Sequence, residues 1–182
     1  TRTQVIHKKS SDITDDAILA GLRDSENNLW LGTFEWGVNI FNSQTKIISH
    51  FLLDDKIADI RCFYEDDKKN IWIGCTNGLY KYNIETNEGY RCIIENSNFP
   101  TNLIRAISKD NLGQIWLGFF GEGLAILDSE LKVILHLKTH NGLPSNTVDH
   151  IYKDANGKMW IATGEGLVCF SNPSKTNEFA IY

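Results

Sequence analysis

The apolar residues of this chain come in short runs of four to seven, broken every eight to twelve positions by Asp, Asn and Gly, and no long stripe of period 3.6 appears. Such spacing predicts strands joined by tight turns. "AILAGLR", "DIRCFYE", "LIRAISK" and "TVDHIYK" are predicted first strands, each closed by a polar turn: "DSENN", "DDKKN", "DNLGQ" or "DANGK". A tryptophan-bearing strand follows each turn: "NNLWLGT", "KNIWIGC", "GQIWLGF" or "GKMWIAT". A glycine turn then leads to "GVNIF", "GLYKY", "GLAIL" or "GLVCF", and a fourth strand to "KIISHFL", "YRCII", "KVILHLK" or "EFAIY".

These segments are one unit written four times. Trp30, Trp72, Trp116 and Trp160 are spaced by 42, 44 and 44 residues. An aspartate lies six residues before each (Asp24, Asp66, Asp110, Asp154), and Gly32, Gly74, Gly118 or Ala162 two residues after. Four strands in about 43 residues is the signature of a β-propeller blade. The fold expected is therefore all-β: blades of four antiparallel strands, about four of them plus one extra strand, as part of a larger propeller. Blades are expected at 17–53, 58–95, 103–138 and 147–182 within a single partial-propeller domain. Residues 3–8 parallel a fourth strand and are expected to be the outer strand of a preceding blade. The ring is then either larger than this chain or completed by another one. The Trp column is expected to fill the space between neighbouring blades, worth about 2–3 kcal/mol per buried ring. The glycine two residues on is expected to let the neighbouring backbone approach, and the aspartate to accept turn N–H groups.

Charge and composition narrow the function classes. The 182 residues carry a net charge of −5, with 23 acidic and 18 basic side chains and no basic cluster, which argues against nucleic acid as a partner. No apolar run approaches membrane-spanning length, so no membrane contact is expected through this segment. The chain starts Thr1-Arg2-Thr3-Gln4, and it reads as a piece of a longer protein. Cys62, Cys75, Cys92 and Cys169 lack CxxC spacing and lie in apolar runs, as small buried hydrophobes do. His136 and His140, four apart on a strand running into a link, would not share a metal, and no metal or cofactor is expected. No G-x-S-x-G elbow or phosphate-binding loop is present.

The stretches "DNLGQIWLGFFGEGL" and "DANGKMWIATGEGL", with the link "NGLPSNTVDHIYKD", resemble the two-component regulator propeller repeat. The resemblance covers essentially the whole chain and is strongest over 103–168. The first copy departs most, with "NN" for the turn glycine, and the second has "NFPTN" in place of "GLPSN". The resemblance implies the extracytoplasmic, hence periplasmic, sensory region of hybrid histidine kinase/response regulator proteins of Bacteroidetes, often responsive to oligosaccharides. It implies a non-enzymatic segment, with any kinase elsewhere in the full-length protein.

Candidate binding residues are expected on the face shared by the turns between second and third strands and the links from a fourth strand to the next first strand, and on the first strands, which are expected to line the central channel. Trp36 is the one tryptophan outside the repeating column, and beside Glu35 it could stack on a sugar ring or pack locally. Asn77, Phe120 and Glu122 occupy the equivalent turns of the second and third copies, and one of Phe119 and Phe120 is expected to point inward. On the first strands a variable column, Leu19, Arg61, Arg105 and Asp149, stands beside the uniformly aliphatic Ile18, Ile60, Ile104 and Val148. Its arginines could grip a ligand's carboxylate or sulfate, or pair with acids across blades. His150 is the one histidine placed as a propeller lyase would need it. Three readings follow: an oligosaccharide-sensing module, a protein-association scaffold (including a homodimer that completes a ring), and, last, a lyase.

Overall fold

The computed structural model describes residues 13–51, 59–92, 103–172 and 178–182; the strand expected at 3–8 and most of the links at 52–58 and 93–102 lie outside them. Sixteen strands among the described residues form four sheets of four, each in simple sequential order. The first sheet comprises β1 (Ile18–Arg23), β2 (Leu29–Thr33), β3 (Val38–Phe41) and β4 (Ile48–Phe51). The second comprises β5 (Ile60–Glu65), β6 (Asn70–Cys75), β7 (Gly78–Asn83) and β8 (Glu88–Cys92). The third comprises β9 (Ile104–Lys109), β10 (Ile115–Phe119), β11 (Leu124–Leu127) and β12 (Val133–Leu137). The fourth comprises β13 (Val148–Lys153), β14 (Met159–Thr163), β15 (Gly166–Phe170) and β16 (Ala180–Ile181). These are antiparallel propeller blades, and the regular secondary structure besides them is one 3₁₀ turn, Thr139–Asn141, among the described residues.

The repeated aspartate does more than close its turn. Asp24 Oδ1 accepts the N–H groups of Glu26 and Asn28, while Oδ2 accepts the Trp30 indole N–H at 2.8 Å. The same fork holds Trp72 to Asp66 at 2.9 Å, Trp116 to Asp110 at 2.9 Å and Trp160 to Asp154 at 3.0 Å. Each indole N–H is therefore satisfied, and the turn conformation and the Trp rotamer are fixed by one side chain.

The chain divides into two compact units, residues 1–91 and 92–182, each holding two blades. In the first unit the core lies between the first and second blades and joins Trp30, Val38, Ile60, Ile71, Ile73, Cys75 and Tyr80. Trp30 packs edge-on against Phe51, Phe63 and Tyr82 at centroid distances of 6.2, 6.3 and 5.3 Å. In the second unit the core lies between the third and fourth blades, with Trp116 edge-on to Phe170 at 4.9 Å.

The glycine after each of these tryptophans is expected from sequence to admit the neighbouring backbone; in the structure it admits a side chain instead. A Cβ on Gly32 would stand 2.5 Å from Ile60 Cγ2, and one on Gly118 would stand 2.5 Å from Val148 Cγ1. The uniformly aliphatic residue that opens each second blade is thus a knob seated in the glycine gap of the preceding blade. Far from these knobs, Ser25 donates its N–H and Oγ–H to Glu65, and Lys153 Nζ donates to Asn111 across the other blade pair. Those equivalent positions clasp the opposite edge of each pair.

Candidate functional site

All four first strands carry a β-bulge at the same place. Register slips between Ile18 and Ala20, between Ile60 and Cys62, between Ile104 and Ala106, and between Val148 and His150. The extra residues are Leu19, Arg61, Arg105 and Asp149, the variable column itself. A backbone bond closes over each bulge from the turn after the second strand: Phe34 N–H to Ala17 O, Thr76 to Asp59, Phe120 to Leu103 and Gly164 to Thr147, at 3.0–3.1 Å. A bulged residue has no partner opposite it, so its side chain is released from sheet packing and can be aimed elsewhere.

In the second unit three candidates come together. Arg105 Nη1 lies 3.1 Å from Asp149 Oδ1, an ion pair joining the first strands of adjacent blades. The Arg105 guanidinium carbon stands 5.2 Å from the centroid of the Phe120 ring, a cation–π contact. Phe119 is fully buried, whereas Phe120 is 53% exposed and presents its ring beside the pair. Glu122, from the same turn, is directed away: its carboxylate pairs with Lys138, and its carbonyl lies 2.6 Å from His136 Nε2. Glu122 thus fastens its turn to the outer strand and to the link that follows.

In the first unit the candidates stay apart. Arg61 Nη2 turns back to Asp59 Oδ2 at 2.6 Å, the residue just before its own strand. Trp36 is 50% exposed, and its carbonyl accepts Thr14 Oγ1 at 3.3 Å. Glu35 is exposed and left-handed at φ 69°, which makes its turn a strained one for a non-glycine residue. Asn77 serves its turn: its Oδ1 lies 3.1 Å from Cys75 Sγ and its carbonyl accepts Arg91 Nη2 at 2.6 Å. Asn77 Nδ2 is buried with no hydrogen-bond partner.

Two features escaped sequence reasoning. Asp59 was not singled out, although an acid two positions before Arg61 on an extended segment lies on its side. Cys75 does the work of a threonine: Thr33 Oγ1 and Thr163 Oγ1 donate to the carbonyls of Gly37 and Gly166 at 2.8 Å, and Cys75 Sγ donates to that of Gly78 at 3.0 Å. Aligning the copies would have exposed both. Nucleophilic chemistry is poorly served: the cysteines are free thiols, and burial, reinforced by the neighbouring Cys75, pushes the Cys62 thiol far above its ordinary value. No group of three His, Cys, Asp or Glu side chains could hold a metal among the described residues. His150 is exposed and in register with Ala162. No helix among the described residues is long and apolar enough to cross a membrane.

Comparison with known proteins bears on these residues. The two component regulator propeller family matches residues 56–77 and 142–165. Histidine kinase P4 of Formosa agariphila is 33% identical over 164 residues, covering 84% of this chain and 12% of the kinase. The extracellular domain of BT3049 of B. thetaiotaomicron, described as a hybrid two component system, is 32% identical with a TM-score of 0.85 over 94% of this chain and 23% of that domain. Virginiamycin B lyase of Staphylococcus aureus shares the fold at a TM-score of 0.73 but only 10% identity, over 91% of this chain and 55% of the lyase. The chain thus spans an eighth or less of the kinase, at 12%, and under a quarter of the B. thetaiotaomicron domain, at 23%.

Proposed function

This chain carries two component regulator propeller repeats, and on that premise we propose that it is part of the extracytoplasmic, periplasmic sensory region of a hybrid two-component system, binding an oligosaccharide. The observation that carries this reading is the Arg105–Asp149 pair spanning two blades beside the half-exposed Phe120 ring. An aromatic face with adjacent charged hydrogen-bond donors and acceptors suits a sugar ring, whose C–H face is apolar and whose rim is hydroxylated. A ligand held by both residues would also fix the spacing of the third and fourth blades. The signal would be that change of geometry, passed towards a kinase elsewhere in the full-length protein. The segment itself is not an enzyme on this reading.

A thermal-shift screen against plant and host oligosaccharides tests it. At a hundred times its dissociation constant a ligand adds about 2.7 kcal/mol of apparent stability. Phe120→Ala is expected to abolish that shift while leaving the unliganded melting temperature close to wild type, because the ring is exposed. A shift that survives Phe120→Ala would move the site elsewhere, with Trp36 and Glu35 next in line.

A second reading rests on a different surface. Tyr152, Trp160 and Tyr182 share one side of the fourth blade, with Trp160 and Tyr182 at 5.9 Å and the two tyrosines 58% and 72% exposed. In the third blade the corresponding Trp116 is fully buried under its neighbour. An aromatic surface of this kind favours association with a protein partner, including a second copy of this chain.

A further inference from the structure

We infer that the ligand at the Arg105–Asp149 edge of the second unit is uncharged: a neutral, polyhydroxylated sugar chain, not one bearing uronate, sulfate or phosphate groups. This inference rests on the sensory reading above and names the ligand class of the same site. The arginine at this edge is already matched by a carboxylate: Arg105 Nη1 lies 3.1 Å from Asp149 Oδ1. The turn that carries Phe120 adds no unmatched cation among the described residues, since Lys138 is paired with Glu122. The edge is therefore balanced, on a chain whose net charge is −5.

An anion could reach the Arg105 guanidinium only by displacing Asp149. That trades one carboxylate for another and leaves Asp149 beside a new negative charge without its partner, an exchange with little to gain and a repulsion to overcome. A neutral diol faces no such conflict. A guanidinium offers five N–H donors and a carboxylate about four acceptor sites, so the pair keeps free capacity on both members. One hydroxyl can accept from Arg105 while the next donates to Asp149, and neither ion loses the other. The half-exposed Phe120 ring and the exposed Leu103, whose carbonyl accepts the Phe120 N–H, supply the apolar floor that the C–H face of a pyranose or furanose needs.

Isothermal titration of the whole chain against length-matched neutral and acidic oligosaccharides decides the matter. Neutral chains (arabinan, galactan and xylan fragments) are expected to bind, with a dissociation constant almost unchanged between about 50 and about 500 mM NaCl. Acidic counterparts (oligogalacturonate and sulfated fragments) are expected to bind at least roughly tenfold more weakly. Asp149→Asn removes the balancing charge from an exposed position, so its melting temperature should stay near wild type. It is expected to weaken neutral-sugar binding roughly tenfold and to raise affinity for the acidic fragments, now with a clear salt dependence. Wild-type chain that takes an acidic fragment in preference, with affinity falling as salt rises, would overturn the inference and leave the sensory reading standing. No binding of either class would overturn both.

Discussion

At the scale of single residues, the carboxylate under each tryptophan ties several jobs to one charge. Burial pushes the Asp66 carboxyl up, yet the bonds it accepts from Trp72, Asn70 and Lys68 outweigh that and hold it below its ordinary value of 3.8. Asp154 is held below 3.8 chiefly by the Trp160 indole. A carboxyl depressed in the folded state stabilises it fully above the unfolded value, and that contribution fades as pH falls through the folded value. Asp66→Asn is therefore expected to cost about 1–3 kcal/mol near neutrality. In thermal melts from about pH 7 to about pH 2, the gap between wild type and variant should close only below about pH 4; a constant gap would mean the charge is not what matters. The aspartate and tryptophan columns were legible in the sequence because they recur, but the bond between their side chains was not, since six residues of separation say nothing of contact until the turn is built. Cys75 was hidden for a related reason: inside "NIWIGC" a thiol looks like one more apolar residue, and its donor role shows only beside Thr33 and Thr163.

At the scale of the strand and the blade, position along the chain was read well and pairing detail less so. Alternation and turn residues located the strands to within a residue or two. The bulges left a fainter mark, a variable position between constant ones, because one unpaired residue has no composition of its own. The 3₁₀ turn Thr139–Asn141 left none; it is held by bonds across the link, such as Thr139 N–H to Asn146 Oδ1 at 2.8 Å. The knob-and-gap contact between blades gives the sharpest mutational forecast. Gly118→Ala would bring a methyl to 2.5 Å from Val148 Cγ1 and is expected to destabilise by about 1–3 kcal/mol. Adding Val148→Ala should recover part of that loss, although the valine substitution alone destabilises. Denaturant unfolding of the four proteins measures the coupling, and strictly additive costs would mean the knob does not seat where the structure places it.

At the scale of the whole molecule, the fourth blade carries an aromatic surface that sequence alone could not weigh: Tyr152 and Trp160 belong to β13 and β14, Tyr182 follows β16, and only pairing brings them to one side. If that surface drives association, sedimentation velocity should show a concentration-dependent assembly that Tyr152→Lys reduces to monomer, with melting temperature little changed; a monomer at every concentration would dismiss it. The number of blades repeats plainly in the text of the chain, whereas what each blade contributes to binding does not, because that burden falls on the residues that depart from the repeat. The bulge explains why such departures are tolerated. One residue per blade is excused from the packing that disciplines its neighbours, so leucine, arginine and aspartate can occupy it in turn on the same frame. On the sensory reading proposed above, stability and selectivity are then under separate control, and a lineage could retune what it detects one substitution at a time, like changing the teeth of a key without recutting its shaft.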